Sequence, residues 1–168
     1  MSETRFSDET QLEEVGGGYT FFCRGRCVDE ARQSGVGFAI KTSIAKNLSS
    51  FPKGISDRIM TFRLPIGKDR WATFVSVYAP TMTNQEQNIL DFYQQLSSTL
   101  SGIPHHDKVI LLGDFNARVG DDSTIWSSVL GQFGVGNMNS NGLKLLSLCS
   151  EFDLAIWQIR YLCYLLEI

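Results

Sequence analysis

No run of apolar residues in this chain approaches the roughly 18 needed to cross a bilayer. The opening Met1-Ser2-Glu3-Thr4-Arg5 is polar, with no apolar core of the kind a secretory signal carries. The expectation is an intracellular protein with no membrane partner. Basic residues are not in excess either: 15 Lys and Arg face 18 Asp and Glu, for a net charge of −3. That balance excludes a polyanion binder working by bulk charge, although Arg58, Arg63, Lys68 and Arg70 gather in one short region. Cysteines are few, at Cys23, Cys27, Cys149 and Cys163, and without a signal segment they are expected as reduced thiols. Cys23-x-x-x-Cys27 has no second matching pair, and His105-His106 falls in a loop-like Pro-His-His-Asp, so zinc is not expected. Cys23 and Cys149 read instead as small hydrophobes in a strand and on a helix face. Repeats, low-complexity tracts and linkers are absent, which leaves a single domain at this length of 168 residues.

What is present alternates between α and β. Aromatic and β-branched runs predict strands at Tyr19 to Cys23, Gly35 to Lys41, Arg58 to Ile66 and Arg70 to Tyr78. Gly67-Lys68-Asp69 joins the last two as an antiparallel hairpin. Thr83-Asn84-Gln85-Glu86 has the form of a capping box, and Ile89, Phe92, Tyr93, Leu96 and Leu100 follow at helical spacing. Lys108 to Leu112 is nearly all apolar, the pattern of a strand buried on both faces, and it ends abruptly in Gly113-Asp114. Asn141-Gly142 leads into a second amphipathic helix through Leu143, Leu146, Cys149 and Phe152, before a short strand at Leu154 to Trp157. From Gln158 onward the chain is apolar without a clear period.

A central strand ending in Asp114, with Asn116 two residues on, puts two oxygen-bearing side chains at the carboxyl edge of a sheet, where α/β folds commonly hold their sites. A carboxylate there is able to ligate Mg²⁺ or take a proton from an attacking water, and an amide beside it donates a hydrogen bond without adding charge. The same spacing also makes an Asx-turn, in which both side chains serve only the loop backbone. On the residues alone both readings stand. An EF-hand does not: Val119 takes the obligatory glycine position and Ile125 that of the bidentate glutamate. Gly35-x-Gly37 lacks the third glycine of a dinucleotide motif, at Ile40, and no P-loop occurs. Tyr78-Ala79-Pro80-Thr81 closes another strand, with Tyr78 either placed to bond a phosphate oxygen or packed with its ring in the core.

Taken in order, Glu3-Thr4-Arg5, GVGFAI (35–40), SDRI (56–59), SVYAPT (76–81) and LLGDFNARVG (111–120) resemble the endonuclease/exonuclease/phosphatase superfamily. Within it they most resemble the endonuclease domains of non-LTR (LINE-type) retrotransposons and craniofacial development protein 2-like sequences. The likeness runs from Glu3 to about Ile156. It implies a partial domain over 1–157, a divergent tail over 158–168, and a DNase I-like two-sheet α/β sandwich that is incomplete. The resemblance further implies a phosphodiesterase using Mg²⁺, or Mn²⁺, on DNA, and so a nuclear location. Glu3 matches the family's metal-binding glutamate, Asp114 its water-aligning aspartate and Asn116 its phosphate-contacting asparagine. Tyr78 matches its phosphate-bonding tyrosine, and Thr81 a substrate-facing position. The family's first-strand asparagine, a further aspartate and the closing Ser-Asp-His segment have no counterparts, which leads to an expectation of impaired or absent nuclease activity, because such residues act as a unit. It also leads to an expectation of apolar sheet edges left unpaired. The alternative is an inert retrotransposon-derived remnant with weak metal or nucleic-acid binding. Nothing marks a protein partner beyond the amphipathic helix from Asn84 to Leu100, which would need an exposed apolar face.

Overall fold

The computed structural model describes residues 9–13, 17–26, 34–131, 136–159 and 162–167. They fall in two units, Met1–Tyr78 and Ala79–Ile168. The chain is mixed α/β.

In the first unit β1 (Glu9–Glu13), β2 (Tyr19–Arg24) and β3 (Val36–Lys41) form an antiparallel sheet in that order, and a single helical turn, α1 (Thr42–Ala45), follows β3. A second antiparallel run comprises β4 (Lys53–Ser56), β5 (Ile59–Gly67) and β6 (Arg70–Tyr78). The predicted hairpin is present: β5 and β6 pair from Ile59↔Val77 to Gly67↔Arg70, with a register shift at Pro65/Gly67 and Asp69 at φ 57° closing the turn. Between the two antiparallel runs lies a core of Phe22, Val36, Ile40, Ala45, Met60 and Phe62, with Phe38, Leu64, Phe74 and Tyr78 packed against it. Phe62 stands in contact with two further rings, Phe38 at 5.7 Å and Phe74 at 6.2 Å between centroids. Removing a ring of this kind typically costs about 3–5 kcal/mol. Cys23 is buried, and burial raises its thiol pKa, as fits an inert packing group.

The second unit opens on the segment after Tyr78 and continues through α2 (Glu86–Ser101), β7 (Lys108–Asp114), α3 (Ser140–Glu151), β8 (Leu154–Ile159) and β9 (Leu162–Glu167). β9 lies between β7 and β8, antiparallel to both. The predicted strand at Leu154 therefore runs two residues further than expected, and the aperiodic segment after it contributes a strand. Burial along β7 is also uneven: Leu111 is fully buried and its neighbours only partly.

The capping box does not form. α2 starts at Glu86 with Gln85 at its cap and no side-chain bond, and the Thr83 hydroxyl that would have capped it lies 2.8 Å from that of Thr81. Its apolar stripe, Ile89, Phe92, Tyr93, Leu96 and Leu100, is buried, so α2 offers no apolar face to a partner. No helix among the described residues is long and apolar enough to cross a membrane.

Candidate functional site

β7 carries its apolar residues to Leu112, and the chain then turns sharply. Gly113 takes φ 145°, a conformation that favours glycine, and Asn116 takes φ 47°, in the left-handed region that Asn tolerates better than most residues. Between them the side chains alternate: Phe115 is 2% exposed and anchors the turn, while Asp114 is exposed. Apolar burial thus holds the loop by one side chain and leaves the carboxylate in solvent.

Three hydrogen bonds fix this turn. The backbone N–H of Asn116 donates to Asp114 Oδ1 at 2.8 Å, so the Asx-turn reading is correct as geometry. Asn116 Nδ2 donates to Ala79 O at 2.8 Å, and Ala79 N–H donates to Asp114 O at 2.8 Å. The turn uses one oxygen of Asp114; its other oxygen, Oδ2, has no hydrogen-bond or ion-pair partner among the described residues. Asn116 likewise has a second Nδ2 hydrogen beyond the one given to Ala79.

A residue that sequence reasoning passed over as a turn signal holds the arrangement from behind. Asn141, in the first turn of α3, is fully buried, and its Nδ2 donates to Pro80 O at 3.0 Å and to Asn116 O at 3.2 Å. Its backbone oxygen accepts from Tyr93 Oη at 3.0 Å, and burial, with Cys149 adding to it, raises the Tyr93 phenol well above its ordinary pKa. Asn141 Oδ1 is buried with no hydrogen-bond partner among the described residues, which ordinarily costs about 1–3 kcal/mol. Next to it, Gly142 packs so closely that a Cβ would lie 1.8 Å from Arg118 O. Asn139 caps the helix, its Oδ1 accepting from Gly142 N at 2.7 Å and from Arg118 N at 3.0 Å.

The remaining sequence-predicted residues stand as follows. Thr81 lies two residues beyond Ala79, its hydroxyl 2.8 Å from that of Thr83 and bonded to Asn84. Tyr78 ends the first unit with its ring half-buried against the core and the Arg58 guanidinium 5.4 Å from the ring centroid. Arg58 Nη1 donates to Tyr78 O at 3.1 Å, and Asp57 Oδ2 accepts from Arg26 Nε at 3.1 Å and from the Ser34 hydroxyl. Burial lowers the Arg58 pKa, with Asp57 opposing, yet the group stays charged. Glu3 lies outside the described residues. Among the described residues no three His, Cys, Asp or Glu side chains gather closely enough to hold a metal, and the exposed His105 and His106 lie before β7, at the end away from Asp114.

The class these features define is a mixed α/β chain with a polar, backbone-locked turn at the end of a strand. No protein-family model matches it. The chain is similar to craniofacial development protein 2 of Bos taurus, with 29% identity over 138 residues, 82% of this chain and 22% of that protein. It is similar also to craniofacial development protein 2 of Tragulus javanicus, with 33% identity over 101 residues, 60% of this chain and 17% of that protein. The chain thus spans about a fifth of the length of the curated relatives it matches.

Proposed function

We propose that this chain carries part of an endonuclease/exonuclease/phosphatase-type site, of the DNase I-like sandwich family, and hydrolyses phosphodiester bonds in DNA. The observation that supports this best is the Gly113-Asp114-Phe115-Asn116 turn. Its hydrogen bonds leave one carboxylate oxygen of the exposed Asp114 and one amide N–H of Asn116 unused. Preorganised groups of this kind act without reorganising during the reaction.

In this reading Asp114 aligns the attacking water and accepts its proton, and Asn116 donates to a phosphate oxygen. Thr81, two residues beyond Ala79, contacts the same phosphodiester, and the resemblance implies a phosphate-bonding role for Tyr78. The family motif gives Glu3 as the metal ligand, and a hard carboxylate oxygen of that kind suits Mg²⁺, or Mn²⁺. Such an ion, when bound, neutralises charge on the phosphate. The Asx-turn restrains the orientation of the carboxylate through Oδ1. The order of the motifs supports the family; the resemblance to the LINE-type branch supports DNA as substrate.

The test is cleavage of an end-labelled duplex with Mg²⁺. Internal cleavage that stops on adding a chelator supports the reading. Intact DNA in the presence of Mg²⁺ that the chain demonstrably binds selects the alternative, an inert remnant with metal binding alone.

A further inference from the structure

Resting on the reading just given, we infer that Asn141 is a positioning residue for the Asp114–Asn116 turn. It touches neither carboxylate nor substrate, yet one amide nitrogen donates to carbonyl oxygens on two separate segments. Pro80 O belongs to the stretch that leads to Thr81, and Asn116 O to the turn itself. Asn116 in its turn donates to Ala79 O, and Ala79 N–H donates to Asp114 O. The result is a closed ring of bonds, Ala79–Pro80, Asn116 and Asn141, in which Asn141 is the member anchored in a helix. The Tyr93 hydroxyl adds α2 to that anchor by donating to Asn141 O.

Stability alone does not explain an amide at this position. Asn141 is fully buried, and its Oδ1 finds no hydrogen-bond partner among the described residues, so half of its polar group is a burden to the fold. Only its two N–H groups are used, and both point at backbone of the candidate site. Locally unfavourable features in well-packed regions concentrate at functional or strained sites. The Gly142 contact with Arg118 fixes the depth at which α3 seats, and so the height of the Asn141 amide against both carbonyls.

The experiment uses the full chain as wild type, Asn141→Ala and Asn141→Ser, the last retaining one donor if the alanine variant does not fold. Hydrogen exchange at the Ala79 N–H and the Asn116 side-chain amide is followed by NMR, with Leu96 and Leu145 as references. Exchange at Ala79 and Asn116 is expected to quicken on the order of tenfold in Asn141→Ala and less in Asn141→Ser, with the references unchanged. In the DNA cleavage assay, run well below each variant's own Tm, kcat should fall on the order of a hundredfold with KM little altered. A uniform quickening across the second unit, or a lowered Tm with kcat intact, overturns the inference and leaves Asn141 a packing residue. Wild type that cleaves no DNA removes the proposed function, while the exchange result still decides what Asn141 holds in place.

Discussion

At Asn116 the backbone sits at φ 47° while the side chain is bonded to Ala79 O, so conformation and chemistry make separate demands on one position. A β-branched residue would meet neither. Asn116→Val should lose about 1–3 kcal/mol through backbone strain. Asn116→Gly relieves the strain but removes a bond of about 0.5–1.5 kcal/mol, and should melt within about 1 kcal/mol of wild type while losing DNA cleavage. Thermal melts of the pair read this difference. Tyr93 gives a second test at the same scale. Burial raises its pKa above the ordinary 10.0, so the folded chain keeps a proton that the unfolded chain releases. Its contribution is therefore fully present below about pH 10 and is lost as the pH rises through the higher folded value. Denaturant midpoints should fall above about pH 10, and Tyr93→Phe should flatten that fall while costing about 0.5–1.5 kcal/mol at neutral pH.

Among the elements, α3 shows how a local rule is overridden by its surroundings. Gly to Ala within a helix ordinarily gains about 0.5–1 kcal/mol, but at Gly142 the added Cβ meets Arg118 O. Gly142→Ala should instead cost about 1–3 kcal/mol by forcing α3 away from the loop, as equilibrium unfolding would show. The elements with strong patterns were legible in the sequence: β2, β3, the β5–β6 hairpin, α2, β7 and α3 lie where aromatic runs, the turn at Asp69 and helical spacing put them. Those missed lack such patterns. β1 is ETQLE and β4 is KGIS, polar strands with no apolar alternation, and α1 is one turn long. β9 fails in the opposite way, since Leu162–Glu167 is apolar at nearly every position and so carries neither a two-residue nor a 3.6-residue period. The capping box failed because the helix starts at Glu86, and the hydroxyl of its capping residue, Thr83, has a competing partner in Thr81. Within the site, Asp114 and Asn116 were visible as polar groups after an apolar run. Asn141 was not, because Asn-Gly before a helix reads as a turn, and only the fold reveals that this amide is buried.

For the whole molecule, each unit carries its own buried apolar residues, and the central claim concerns the turn at the end of β7. The two readings of Asp114-x-Asn116, site and Asx-turn, prove compatible: the turn uses Oδ1 and leaves Oδ2. A turn with no part in chemistry would leave any nicking unchanged when the Asp114 carboxylate is removed. Relaxation of supercoiled plasmid with Mg²⁺ by wild type and by Asp114→Ala, purified alike, separates the two most directly. The site proposed here predicts nicking by wild type that falls by at least about two orders of magnitude in Asp114→Ala. Equal nicking by both proteins, or none by a folded wild type, would contradict it.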